Sequence, residues 1–440
     1  MFRKILIGLM VIVATLLVVV VWQFLFPVPA LLNDQGDYGP SPQLVAPQKR
    51  LVPTVRPAKA VGWPAGEMPS PATGLQIKPF VSGLDHPRWL YVLPNGDVLV
   101  AESNAPAGSG LCSGLKNLAA RPVLKYGGAR TPSADRVSLH RDTDGDGVAD
   151  ESHVFAQGLR SPFGMALVEQ NLYIANTDAV LRFTYTPGQT SLTSAPEVVV
   201  ELPSGKNHHW TKNILAGPDN RSLFVTVGSN SNVGECGPEV EVGRAAIYRL
   251  DLDTGELGLF AHGLRNPNGM ALEPTSGALW TVVNERDELG SDLVPDYVTS
   301  VHEGDFFGWP YVYYGTHPQP QLDARWPDEH PVARRPDYAV GSHTASLDIE
   351  FSYDSALPDQ WRSGLFVSQH GSWNRKPVSG YRVIYIPFEN GSPNGEAQEI
   401  VGEFLDADGD ARGRPVGLAL DGTGALLIAD DVGNVIWRVR

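Results

Sequence analysis

Gly263-Leu264-Arg265-Asn266-Pro267 runs into Gly269-Met270-Ala271-Leu272 and then into Leu279-Trp280-Thr281-Val282-Val283-Asn284. A polar turn, a short apolar run, a second turn and another apolar run read as paired strands. The unit recurs. Gly158-Leu159-Arg160-Ser161-Pro162 precedes Gly164-Met165-Ala166-Leu167 and Leu172-Tyr173-Ile174-Ala175-Asn176. Gly83-Leu84-Asp85-His86-Pro87-Arg88 precedes Trp89-Leu90-Tyr91-Val92, a turn at Pro94-Asn95-Gly96-Asp97, and Val98-Leu99-Val100-Ala101-Glu102. Arg412-Gly413-Arg414-Pro415 precedes Val416-Gly417-Leu418-Ala419-Leu420 and Leu426-Leu427-Ile428-Ala429-Asp430. Gly164 to Gly269 is 105 residues and Gly269 to Gly417 is 148, close to two and three units of about fifty. One weaker unit fits each gap, which makes six. Radial repetition of short four-stranded units predicts an all-β, six-bladed β-propeller, with the strand Asn434 to Val439 finishing the last blade or closing the ring.

Composition agrees. The 440 residues include 46 Gly and 36 Pro, too much punctuation for a helical bundle, and no amphipathic helix longer than two turns is expected. With 42% hydrophobic residues a core is assured and wholesale disorder excluded. Lys and Arg number 34 against 49 Asp and Glu, net −15, the opposite of what phosphate neutralisation requires, so no nucleic acid is expected as partner. Two cysteines, Cys112 and Cys236, cannot make a zinc site; in an exported protein they form one bridge, or else they are two unrelated buried thiols.

The N-terminus points to the compartment. Arg3 and Lys4 precede an apolar run from Ile5 to Val21 that continues to Phe26, about long enough to cross a bilayer. Pro27-Val28-Pro29-Ala30 follows in place of a small-x-small site, which favours an uncleaved anchor over a removed signal. Residues 1–26 are therefore read as a transmembrane anchor or signal, oriented with its basic end in the cytoplasm. Residues 27–75 hold ten prolines and read as a Pro-rich linker, a tether lifting the folded part off the membrane. Residues 76–440 form the propeller. The expected location is the cell inner membrane, single-pass, with the propeller on the periplasmic side.

In each unit the polar cluster comes just before the first strand or just after the second run, and in a propeller those connections open on one face. Arg88, His208, His209, Arg265, Asn284 to Glu288, His370 to Arg375, Arg412, Arg414 and Asp430 should converge there. Several arginines around one channel repel unless an anion sits among them. A histidine such as His209 on that rim can serve as general base near neutral pH. Asp142-Thr143-Asp144-Gly145-Asp146-Gly147-Val148-Ala149-Asp150 forms most of a calcium loop, with Asp142, Asp144, Asp146 and Asp150 as ligands. His153 stands where a bidentate Glu is expected, and the alternative is a solvated acidic turn. No G-x-G-x-x-G, P-loop or G-x-S-x-G motif follows a strand, which leaves nucleotide and common serine-hydrolase chemistry without support.

From about Gln76 to Arg440 the chain resembles the glucose/sorbosone dehydrogenase family, six-bladed propellers using pyrroloquinoline quinone (PQQ), most closely its L-sorbosone dehydrogenase branch. The matching stretches are His209 through Asp219, Gly263 through Pro267, Asn284 through Gly290, Gly308-Trp309-Pro310, His370 through Arg375 and Gly413-Arg414-Pro415. The resemblance implies that His209 is the general base and that Arg265 lies against the cofactor. It implies that Arg412 and Arg414 hold cofactor carboxylates, with Arg88, His370, Asn374 and Arg375 completing the cradle. Asp287 and Glu288 match the place where backbone carbonyls hold a catalytic calcium, to which their side chains could add. Ser229 and Gly371, or the neighbouring His370, depart from the glucose-oxidising branch, where an aspartate and a lysine are expected. The implied reaction is oxidation of a sugar or sugar aldehyde by hydride transfer to the quinone, with electrons passed to a membrane quinone or cytochrome. Two alternatives stay open. One is a calcium-dependent lactonase or esterase using Asn176, Asn284, Glu285 and Asp430, and the other is a non-catalytic binding propeller.

Overall fold

Inner strands Pro87–Val92, Met165–Val168, Ile214–Ala216, Pro267–Leu272, Ser346–Phe351 and Pro415–Leu420 each begin a meander of four antiparallel strands, and together they surround a central channel. The computed structural model describes residues 15, 18, 19, 21–23, 25–33, 35–50, 52–110, 114–129 and 131–440. The six meanders are the blades of a propeller. Six apolar clusters fill the gaps between consecutive blades. In one, Phe366 and Tyr385 of blade 5 pack on Leu418 and Trp437 of blade 6; in another, Phe80 and Ile436 of blade 6 pack on Leu90 and Val98 of blade 1. Burying both faces of each blade makes the strands nearly all apolar.

The ring closes through the N-terminal side. The last strand, Val435–Val439, pairs with Ile77–Ser82, so the outer strand of blade 6 comes from the beginning of the propeller sequence. The C-terminal strand is the third of its blade.

The repeated glycine has a steric origin. A Cβ on Gly164 would lie 2.4 Å from Ile214 N, one on Gly269 2.6 Å from Asp348 Cα, and one on Gly417 2.9 Å from Arg88 O. Blades 2, 4 and 6 thus present a glycine to the inner strand of the next blade. Blades 3 and 5 carry the facing residues Asn213 and Asp348 instead, as blade 1 carries Arg88 and Trp89. The long interval before Gly417 holds a single further blade plus the excursion 302–337 between the third and fourth strands of blade 4.

Two features depart from the sequence reading. The connection between the second and third strands of blade 1 contains the thirteen-residue helix Gly114–Tyr126, beyond the two turns expected; Pro122 signals a break, yet it is accommodated within the helix. Residues 27–75 are extended, as their prolines require, but they are laid across the channel mouth. Tyr38–Gly39 adds a strand to blade 4 and Ser70–Pro71 one to blade 5. Between these strands the segment satisfies its backbone on the mouth loops: Gln48 N–H donates to Leu289 O (2.9 Å), Arg56 N–H to Trp373 O (2.7 Å) and Val61 N–H to Ala411 O (2.9 Å). Among the described residues no helix is long and apolar enough to cross a membrane, and most of the run read as an anchor lies outside them. Cys236 is disulfide-bonded, and Cys112 lies outside the described residues.

Candidate active site

The mouth is built from loops entering the inner strands and from loops joining second and third strands. On the side of blades 3 and 4, the turn Asn207–Trp210 carries His209. Lys212, fully buried, donates from Nζ to Asn207 Oδ1 (3.3 Å), His209 O (3.3 Å) and Trp210 O (3.4 Å), and so clamps that turn. His209 Nδ1–H donates to Ser229 O (2.7 Å), with Ser229 Oγ at 3.1 Å. This bond fixes the tautomer and leaves the Nε2 lone pair free to accept a proton. Burial, then the adjacent His208 and Arg265, hold the His209 pKa well below 6.5, so the ring is neutral at pH 7.

Ser229 N–H donates to Arg265 O (2.7 Å), tying the base to the arginine. The Arg265 guanidinium is buried and fully engaged. Nε reaches Asn232 O (3.0 Å), Nη1 reaches Asn284 O (3.1 Å) and Glu285 O (2.7 Å), and Nη2 reaches Asn232 Oδ1 (3.0 Å) with Asp287 Oδ2 at 3.8 Å. Asn232 Oδ1 also accepts Asp287 N–H (2.9 Å), linking the two loops. The Asp287 carboxylate accepts Asn374 Nδ2–H (2.7 Å) and lies 3.3 Å from His343 Nδ1. Despite burial, these donors and Arg265 lower its pKa, so it is ionised. The Asp287 carbonyl, however, accepts Arg286 Nε–H (2.9 Å) and Asn232 Nδ2–H (3.3 Å). The Asp287 carboxylate and the buried Asn374 Oδ1, which has no partner among the described residues, add side-chain oxygens at the place where the resemblance implied backbone carbonyls. Glu288 stands beside them on a small cavity shared with Gln48, Arg50, Thr54 and Asn374.

On the side of blades 5, 6 and 1, Arg88 and two histidines surround Asp431. Its Oδ2 accepts Arg88 Nη1–H and lies 2.9 Å from His370 Nε2 and 3.5 Å from His86 Nε2. These partners hold the Asp431 carboxyl far below its usual range, while burial pulls His370 down to about 4. Arg88 lies over the Trp210 and Phe163 rings. Arg414 stacks on Tyr381 at 5.1 Å and donates to Tyr381 Oη (3.2 Å) and Ala58 O (3.4 Å). Arg88 Nε and Arg414 Nε are buried donors with no acceptor among the described residues. Such orphan donors fit an anionic group such as a quinone carboxylate, and the ionised Asp287 with Asn374 Oδ1 fits a hard cation.

Two predicted cradle residues are placed elsewhere. Arg412 pairs on the rim with Glu67 (2.7 Å), and Arg375 turns to Ser291 O (3.0 Å) and Asp292 (3.6 Å), where it holds a loop. The acidic loop of blade 1 lies at the end away from the mouth. Asp142, Asp144 and Asp146 each bring a carboxylate oxygen within 4.8 Å of the others, whereas Asp150 turns to Thr143, accepting its N–H and Oγ–H (both 2.7 Å). Asp430, a ligand in the hydrolase alternative, spends both oxygens on Trp63 Nε1, Trp437 Nε1, Arg414 N and Gly433 N. Asp431, Asn232, His343 and Lys212 escaped the sequence reading. Asp431 stood out least, directly after Asp430 in an ordinary polar turn.

Comparison with known proteins agrees with the fold. The pyrroloquinoline quinone-dependent pyranose dehydrogenase of Coprinopsis cinerea is 23% identical over 364 residues, 72% of this chain and 44% of that protein. An uncharacterized protein of Borreliella burgdorferi is 26% identical over 304 residues, 65% of this chain and 77% of its own length. The holo form of the Coprinopsis pyranose dehydrogenase PQQ domain superposes with a TM-score of 0.64 at 21% identity, covering 85% of this chain and 97% of that one. The calcium structure of a Trichoderma reesei carbohydrate-active enzyme of family AA12 gives 0.66 at 19% identity, covering 89% and 99%. The chain spans less than half of the full-length pyranose dehydrogenase. The TrAA12-like family model matches residues 135–305 and 312–440, well over half of the sequence and including His209, Arg265, Asp287 and Asp431, and the chain belongs to that family.

Proposed function

We propose that the protein is a PQQ- and calcium-dependent dehydrogenase oxidising an aldose or a hydrated sugar aldehyde of the sorbosone kind. The observation that carries this reading is the pairing of a neutral, tautomer-fixed His209 with buried orphan donors on Arg88 and Arg414 across the same mouth. When bound, the quinone supplies the hydride acceptor and calcium the Lewis acid that polarises it. His209 Nε2 takes the proton from the substrate hydroxyl, and Ser229 O steadies the charge that then forms on the ring. Arg88 and Arg414 hold carboxylates, while Asp287 and Asn374 offer oxygens to the metal. Arg265 fixes the carbonyls behind them and adds positive potential. Asp142, Asp144 and Asp146 form a second, structural calcium loop. The chain is anchored in the inner membrane with the propeller on the periplasmic side, and a membrane quinone or cytochrome takes the electrons.

Reconstitution with calcium and PQQ should give dye reduction with aldoses or sorbosone. His209→Ala should lower kcat by about 10³ while leaving quinone binding intact. Because the His209 pKa is depressed, activity should hold across neutral pH and fall only well below 6.5, as the ring gains its proton. Full dye reduction by His209→Ala, or no quinone binding by the wild type, defeats the proposal.

A further inference from the structure

The exposed apolar side chains are not spread evenly. Apart from Val148, Val154, Val198, Leu259 and Val332, every exposed large apolar residue described belongs to the mouth face, to the segment that crosses it or to the apolar run ending at Phe26 that precedes that segment. On the helix Gly114–Tyr126, Leu118, Leu124 and Tyr126 are 63%, 41% and 50% exposed. Val61 and Met68 of the crossing segment are each 46% exposed, and Trp373 of the mouth loop is 37% exposed. The helix and the segment are joined, since Ala60 N–H donates to Tyr126 O (3.0 Å).

Charge separates the same elements from the rest. Residues 38–68 contain Lys49, Arg50, Arg56 and Lys59 against one acid, Glu67, which pairs with Arg412; residues 103–134 contain Lys116, Arg121, Lys125 and Arg130 and no Asp or Glu. These two stretches carry +7 in a chain whose net charge is −15. Arg56, Lys59, Arg121 and Lys125 are solvent-exposed. A helix with exposed Leu and Tyr among Lys and Arg, beside a basic segment bearing Val and Met, has the chemistry of a surface that lies in an anionic headgroup layer. The apolar run ending at Phe26 leaves from this side too: Arg50 donates to Phe26 O (2.9 Å), and Gln23 Oε1 accepts Val52 N–H (3.0 Å).

We infer that the channel-mouth face docks on an anionic lipid bilayer through the helix Gly114–Tyr126 and the segment 44–68, so that the candidate cofactor site faces the membrane. The inference rests on the membrane location proposed above and adds an orientation to it. Its readout is independent of the cofactor, so failure of the dehydrogenase reading would leave it standing. A lipid-dissolved electron acceptor would then approach along the bilayer rather than from bulk solvent.

The test uses the full-length chain in nanodiscs of phosphatidylglycerol and phosphatidylcholine carrying nitroxide-labelled lipid. Fluorophores are placed on Leu118→Cys, on Leu124→Cys and on the outer-strand control Val198→Cys. Quenching should be severalfold stronger at 118 and 124 than at 198. It should weaken when phosphatidylglycerol is left out or when Arg56→Glu and Lys59→Glu are introduced. Quenching no stronger at 118 and 124 than at 198, or insensitive to phosphatidylglycerol, would overturn the inference. Shielding of these positions only when a soluble protein acceptor is added would overturn it as well.

Discussion

The two sides of the channel mouth use arginine in opposite ways. Arg265, beside His209, has every guanidinium nitrogen hydrogen-bonded to the protein's own oxygens. Arg88 and Arg414, across the mouth, each keep a buried Nε without an acceptor, and Arg88 is balanced by a single carboxylate, Asp431. A saturated guanidinium organises backbone; a buried donor left open stores a desolvation cost that a ligand can relieve. Arg265 thus builds its side of the mouth, whereas Arg88 and Arg414 are the arginines proposed to hold the ligand.

The strongest way to break it is Arg265→Ala. Removing the side chain strands the carbonyls of Asn232, Asn284 and Glu285 in a buried loop, and the apo protein should lose about 3–5 kcal/mol in denaturant unfolding. A loss below about 1 kcal/mol would mean that the arginine is there for a ligand. Asp431→Asn should cost the apo protein about 3 kcal/mol, because Arg88 is left as an uncompensated buried charge. Added PQQ should restore part of that stability through binding, measured as a ligand-dependent rise in Tm. Arg414→Lys should be nearly silent in stability yet weaken PQQ binding about 30-fold in titration, since a point charge cannot reproduce a planar fork. Arg412→Ala, on the rim, should change binding less.

The smallest effect is a control away from both sides. Glu350, on the inner strand of blade 5 two residues beyond Asp348, has its pKa raised to about 8 by burial and then by Asp354. In the unfolded chain it ionises near 4.5, so between pH 4.5 and 8 the folded state holds a proton that the unfolded state releases, and stability falls as pH rises through that window. Glu350→Gln should therefore leave Tm unchanged at pH 4 and stabilise by about 1–2 kcal/mol at pH 8, where the partly exposed site moderates the gain. PQQ affinity should not change.

What could be read from the chain depended on whether a residue's role was local. The hairpin periodicity and the paired glycines announced blades 2, 4 and 6 because close approach of strands admits only glycine. Blades 3 and 5 lack that glycine, with Asn213 and Asp348 in the complementary position. His209 and Arg265 were legible from motifs that flank their strands. The partner set was not: Arg412 and Arg414 are two residues apart and looked equivalent, yet one turns out to Glu67 and the other inward over Tyr381. The calcium loop was read as four ligands, but Asp150 caps Thr143 instead of joining the other three.

The sequence by itself determined the blade count, the polar edge of each unit and the proline-rich character of residues 27–75, since periodicity, turn chemistry and fixed φ angles are properties of neighbouring residues. Only the tertiary structure decided that Ile77–Ser82 closes the ring, that residues 27–75 lie over the mouth, that Asp431 neutralises Arg88 and that Arg414 keeps a free donor. Those outcomes depend on which group is nearest once six blades are packed in a circle. Residues hundreds of positions apart then become hydrogen-bond partners, and no local pattern carries that information.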